Sequence, residues 1–240
     1  MSAAICVGSQ HLTAMTIVTA VVIGARLALF ATLPAKRRDH SLRAELAFLL
    51  LCTVLGAAND WNSVTRHRIY DYTVPVEWPE ASLIPVWMLL YWGLILRFVS
   101  SLFRWQRLRI AAPRDDAFGH FAGRSGIALR IVGMLALVVG TRQAIYRTYM
   151  DGLWSWLPFA AALVIGVLLL RPGRRRMLTL VVFGTLGPAV EALYIQVGSL
   201  HAYHLGWLSG VPLWIALWWM LSALFWGELS ARLLRYVTAH

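Results

Sequence analysis

The chain has 240 residues, of which 59% are hydrophobic and 14% charged, with a formal net charge of +11. An ordinary soluble domain carries about 25% charged residues, so the composition argues against a cytosolic globular enzyme and excludes a disordered chain. The basic excess of 22 Lys and Arg over 11 Asp and Glu points to nucleic acid or to membrane loops, and the placement of the charges decides between them.

A helix needs about 20 apolar residues to cross the hydrocarbon. Seven windows qualify: 13–33, 43–60, 82–103, 125–145, 152–170, 177–197 and 210–230. The first lacks a basic flank and a cleavage site, and reads as a retained span rather than a signal peptide. Lys36, Arg37, Arg38 and Arg43 fall between spans 1 and 2. Arg104, Arg107, Arg109, Arg114 and Arg124 fall between spans 3 and 4, Arg171, Arg174, Arg175 and Arg176 between spans 5 and 6, and Arg232 and Arg235 in the tail. The other side holds only Arg66, Arg68, Arg142 and Arg147. The positive-inside rule then predicts an inner-membrane protein with its N-terminus outside and its C-terminus in the cytoplasm. Short separate loops do not make a nucleic-acid groove. Of three arginines inside spans, Arg97 and Arg130 are expected to snorkel, and Arg26 to pair with a buried acid.

Spans 3 and 7 open alike, as Ile84-Pro85-Val86-Trp87-Met88-Leu89-Leu90-Tyr91-Trp92 and Val211-Pro212-Leu213-Trp214-Ile215-Ala216-Leu217-Trp218-Trp219. Upstream, Asp60 aligns with Glu191, Tyr70 with His201 and Tyr72 with Tyr203. The expectation is an all-α integral membrane protein in one polytopic domain of seven transmembrane helices. Its arrangement is a parallel 3+1+3 repeat: about 13–103, a linker helix at about 125–145, and about 152–230.

Asp60, flanked by Asn59 and Asn62, and Glu191, one turn beyond Pro188, have no local basic partner at i+4. An ionisable group in a span is costly and marks a functional site or a buried ion pair, with Arg142 an alternative partner for Glu191. Trp87 and Tyr91 share a helix face, as do Trp214 and Trp218. With Trp92, Tyr203 and His201 they make candidate walls for a lipophilic substrate, able to stabilise a cation, or else an interfacial belt and core packing. His67, His201 and His204 gather on the outer side without an HExxH pattern, and no metal or other cofactor is expected. Cys6 and Cys52 make no disulfide framework. Lys36 is the only lysine and lies in a loop, which removes a retinal Schiff base; phosphate-loop, GxGxxG and GxSxG patterns are missing.

The order Glu191, Gly198, Tyr203, Gly210-Val211-Pro212-Leu213-Trp214, Trp218 resembles the C-terminal pattern of bacterial carotenoid hydratases, small membrane lycopene cyclases and seven-span terpene cyclases. The likeness covers about 25 residues; Ser199-Leu200-His201-Ala202-Tyr203 stands where the hydratases carry Pro-Phe-Gly-x-Tyr. It implies cofactor-free, proton-initiated chemistry on an isoprenoid, with Glu191 and Asp60 as candidate catalytic acids. The partners would be membrane lipids and a lipophilic small molecule, and the oligomeric state is left open. A small proton-coupled carrier of 3+1+3 type and a non-catalytic accessory subunit are the alternatives.

Overall fold

The computed structural model describes residues 1–34, 40–104 and 124–239. Lys36, Arg37, Arg38, Arg107, Arg109 and Arg114 lie outside the described residues, so their placement in loops stays a reading of the sequence.

The described chain is almost wholly helical. A short α1 (Ser2–Gly8) precedes α2 (Leu12–Thr32) and α3 (Leu42–Trp61), which runs into a π-helix at Asn62–Arg66. A three-residue strand β1 (Tyr70–Tyr72) follows, then α4 (Val86–Arg104), α5 (Arg124–Thr148), α6 (Leu157–Leu170) and α7 (Arg174–Gln196). The last elements are β2 (His201–Tyr203), which pairs with β1, and α8 (Leu213–Ala239). Among the described residues, six helices are long and apolar enough to cross a membrane: Leu12–Thr32, Leu42–Arg66, Val86–Arg104, Ala128–Thr148, Arg174–Gln196 and Leu213–Thr238. They match six of the seven windows read from the sequence.

The window 152–170 behaves differently. Its helix, α6, has 14 residues, about 21 Å at 1.5 Å per residue, against a hydrocarbon thickness of about 30 Å. The Asp151 carboxylate explains the late start. It accepts from the backbone N–H groups of Leu153 and Trp154, at 2.8 and 2.7 Å, and so holds this stretch in a turn. Pro158, in the first turn of α6, then starts the helix. In the same way Pro85 immediately precedes α4, which therefore begins at Val86.

The chain folds as two compact units. One comprises Met1–Ser101, Ala192–Ala202 and Arg232–His240; the other comprises Leu102–Glu191 and Tyr203–Ala231. In the first unit, α1 is fastened to the residues that follow α7 and to the loop after β1. Ile5 is fully buried, Ser9 Oγ donates to the Gly198 carbonyl, and Gln10 Nε2 donates to that of Ser199 at 3.0 Å. Thr73 Oγ1 also donates to Ser199 O, at 2.6 Å. In the second unit the chain turns from β2 into α8 through Ser209 (φ 52°) and Gly210 (φ 81°), closed by Leu208 and Val211. Two consecutive positive φ angles favour glycine, and this turn delivers Val211-Pro212 to the start of α8.

Candidate functional site

Asp60 ends the inward-facing side of α3 in the first unit and is 1% exposed. Its Oδ1 accepts from the Tyr70 hydroxyl, and Oδ2 accepts from the Tyr72 hydroxyl at 2.8 Å and from Trp92 Nε1 at 2.7 Å. Tyr70 and Tyr72 reach one carboxylate because residues two apart on a strand face the same way. The His201 ring lies against both tyrosines, at 5.6 and 5.9 Å. An indole N–H only donates, so Oδ2 of this carboxyl is an acceptor, and the three partners tie the side chain to β1 and α4. Asn59 and Asn62 sit half-buried beside it, and their backbone carbonyls accept from Ser63 Oγ and the His67 N–H in the π-helical turn.

Trp92→Phe removes one of the three donors while keeping an aromatic ring. The expected cost is about 1–3 kcal/mol, the range for leaving a buried group short of a partner. Thermal unfolding in mild detergent measures it, and an unchanged midpoint would remove Trp92 from the clamp.

The neighbouring aromatics of α4 face elsewhere. The Tyr91 hydroxyl lies 2.8 Å from that of Tyr194, which lies 2.8 Å from Ser2 Oγ. Trp87 is fully buried. In the first unit both side chains are buried, and the Tyr91 hydroxyl lies beneath α1, near Ser2.

Glu191 belongs to the second unit and is 9% exposed. The Tyr203 hydroxyl donates to its Oε2 at 3.4 Å. The Tyr203 ring meets Trp214 edge-on at 5.7 Å, and Phe159 stacks on Trp214 at 5.7 Å and meets Trp218 edge-on at 6.1 Å. The Arg142 guanidinium lies over Trp218, 4.5 Å from its centroid. Glu191, Tyr203, Trp214 and Trp218, all singled out from the sequence, are therefore joined in one continuous chain of contacts. Arg142 takes up one face of Trp218, so the cation-binding character expected of that ring is already in use on that side.

The structure also reveals two buried acids that sequence reasoning missed. Glu45, with no exposed surface, accepts from Arg26 at 2.7 Å, from Arg97 through both oxygens at 2.7–3.2 Å, and contacts His40 Nε2 at 2.7 Å. Arg26 thus has the buried acid that its position demanded. Arg97 does not snorkel: it is buried, also over Phe48 at 5.4 Å, because Glu45 offers it a bidentate partner. Arg130 likewise stays buried and faces Glu228. Among the described residues no group of three or more His, Cys, Asp or Glu is arranged to hold a metal. His201 packs on Tyr70 and Tyr72, whereas His204 packs on Tyr149 at 5.4 Å.

No family model and no curated protein matches the chain. Among solved structures, it is similar to a cross-linked MvINS trimer seen by crystallography, 26% identical in sequence with a TM-score of 0.57. The match covers 80% of this chain and 96% of that one.

Proposed function

We propose that the protein is an inner-membrane enzyme, N-terminus outside, that performs acid–base chemistry on a lipophilic isoprenoid or polyene at Glu191. The observation that carries this reading is a carboxyl group buried in a membrane-spanning helix, bonded to Tyr203 and continuous with the Trp214–Phe159–Trp218 aromatic cluster. In this reading the protonated Glu191 carboxyl donates its proton to one alkene carbon, the π pair forming the new C–H bond. The cation left on the neighbouring carbon is stabilised by ring faces, at about 0.5–2 kcal/mol each. Loss of a proton from the adjacent carbon to the Glu191 carboxylate re-forms an alkene. Alternatively, water adds to the cation and its surplus proton returns to Glu191. Neither route needs an oxidant or a reductant. Tyr203 positions the carboxyl, and Asp60 serves as an anchor for β1.

The reading includes a duplicated 3+1+3 architecture, with α2–α4 and α6–α8 as copies, α5 between them and α6 as the short seventh span. The helix-pair contacts support it. The alignment of Asp60 with Glu191 also places Thr53 on Gly184 and Gly56 on Gly187, while that of Pro85 with Pro212 places Gly93 on Met220 and Trp92 on Trp219. A Cβ on Gly56 would lie 2.7 Å from Trp92 Cβ, and one on Gly187 would collide with the Trp219 ring. A Cβ on Gly93 would collide with Thr53, and one on Gly184 would lie 2.6 Å from Met220 Cγ. Each large residue in one pair thus meets a small one in register, as close helix packing in membranes requires. The hydroxyl donor to the acid is also matched, Tyr72 on Asp60 and Tyr203 on Glu191.

The test is expression of the wild-type chain in hosts supplying linear isoprenoids, with lipid extracts profiled by mass spectrometry. The expected result is an isomeric or hydrated product. No product across a broad panel, together with pH-driven uptake of a solute into liposomes, would favour a carrier instead.

A further inference from the structure

Six large apolar side chains stand exposed at one end of the second unit, in two neighbouring turns. The first turn joins α5 to α6 and presents Met150, Leu153 and Trp154, the last 57% exposed. The second joins β2 to α8 and presents Leu205, Trp207 and Leu208, the last two 72% and 70% exposed. The Tyr149 and His204 rings, 5.4 Å apart, set the two turns side by side. Both turns are shaped by their own backbone bonds. The Asp151 carboxylate accepts from the N–H groups of Leu153 and Trp154, and the Trp207 N–H donates to the Val211 carbonyl at 3.2 Å. The backbone is thus fixed while the apolar side chains stay outside the core. Among the described residues, no partner accepts from the indole N–H of Trp154 or Trp207. In the first unit, by contrast, Trp61 Nε1 donates to the Ala81 carbonyl at 3.0 Å.

An exposed apolar patch of this kind marks a surface that something other than water covers. Continuity identifies the cover. Leu153 and Trp154 run directly into α6, whose Val164, Ile165 and Leu168 are exposed along its length, so the patch extends the lipid-facing side of that helix. With 14 residues, α6 supplies about 21 Å of apolar length against a hydrocarbon of about 30 Å. A span that falls short is accommodated by thinning the bilayer, by its flanking residues or by oligomerising, and here the flanking residues are apolar. We propose that the two turns enter the lipid interface and complete the short α6 span. Met150, Leu153, Trp154, Trp207 and Leu208 then lie among the glycerol esters and upper acyl chains of the adjoining leaflet, and the partner is its phospholipid. Tryptophan suits this depth, because its ring packs on acyl chains while its N–H donates to an ester or phosphate oxygen. The proposal rests on α6 as a span and not on the chemistry at Glu191. Lipid contact and product formation are read by separate experiments, so either can fail alone.

The experiment is fluorescence quenching of the full chain in phosphatidylcholine vesicles, with nitroxide-labelled phosphatidylcholine as the lipid quencher and iodide as the aqueous one. The difference between wild type and the double variant Trp154→Phe with Trp207→Phe isolates the two indoles. Their emission should be lost to lipid labelled near the ester, at the fifth acyl carbon, more than to lipid labelled at the twelfth. Iodide should leave most of it. Loss to iodide with none to labelled lipid would place the turns in water and overturn the proposal. Emission reached by neither quencher would mean that a protein surface covers the turns, a second copy of the chain included, and would overturn it as well. Should the double variant fail to fold, a nitroxide attached at Leu208→Cys in a Cys6→Ser background reads the same edge. Its collisions with dissolved oxygen should exceed those with a water-soluble nickel chelate, and the reverse order would overturn the insertion.

Discussion

Glu45→Gln should cost the protein about 3–5 kcal/mol, the penalty for stripping one partner from a buried ion pair. That is a large part of a typical stability of about 5–15 kcal/mol. Glu45 is the single carboxylate on which Arg26, Arg97 and His40 converge. Without its charge, the Arg97 guanidinium stays buried, with the Ser101 hydroxyl at 2.6 Å as a neutral partner. Arg26→Gln should cost less, because that side chain is 28% exposed and Glu45 keeps Arg97. Replacing Glu45 and Arg97 together with Met should cost less than Glu45→Gln alone, since no unpaired charge is then left in the core. Melting of the four proteins in the same detergent checks the order. A Glu45→Gln midpoint equal to wild type would show that the cluster carries little energetic weight.

The second large effect is on turnover. If Glu191 donates the initiating proton, Glu191→Gln removes the proton and preserves the shape, and the rate should fall by about 10²–10⁴, the usual contribution of a positioned acid. Tyr203→Phe should lower the rate by about tenfold, because it removes the 3.4 Å hydrogen bond that orients the carboxyl but leaves the acid in place. Asp60→Asn separates anchoring from chemistry. The three donors on Asp60 predict a loss of stability, with turnover per folded molecule close to wild type. Rates normalised to the folded fraction decide the matter. A normalised rate that collapses in Asp60→Asn and survives in Glu191→Gln would exchange the roles of the two acids.

How much of this could be read beforehand follows from which interactions are local. The long spans were legible because 20 apolar residues in a row have few other uses, and Asp60 and Glu191 because neither has a basic neighbour on its own helix. The internal alignment matches Asp60 with Glu191 and Tyr72 with Tyr203, but it does not say that the tyrosine in each case bonds the acid. The shortness of α6 was hidden because hydropathy counts Leu153, Trp154 and Trp156 as apolar and cannot see the Asp151 cap. Glu45 was overlooked because an acid in the first turn of a helix is an ordinary complement to the helix dipole. Its arginines come from α2 and α4, and a single sequence does not show which helices will be neighbours. The same ignorance of cross-helix partners made Arg97 and Arg130 read as snorkelling side chains. Trp87 and Tyr91 share a face as the spacing predicts, but periodicity alone does not distinguish a lining face from a packed one.

The reaction proposed at Glu191 turns on where the initiating proton goes. Turnover of a linear isoprenoid by the wild-type protein in deuterated buffer, read by mass spectrometry of the product, follows it directly. Protonation of an alkene by an exchangeable carboxyl places one deuterium on carbon, where washing in ordinary water does not remove it. The wild-type product should carry that single carbon-bound deuterium, and the labelled product should be lost in Glu191→Gln. A product formed in deuterated buffer that carries no deuterium on carbon would contradict it.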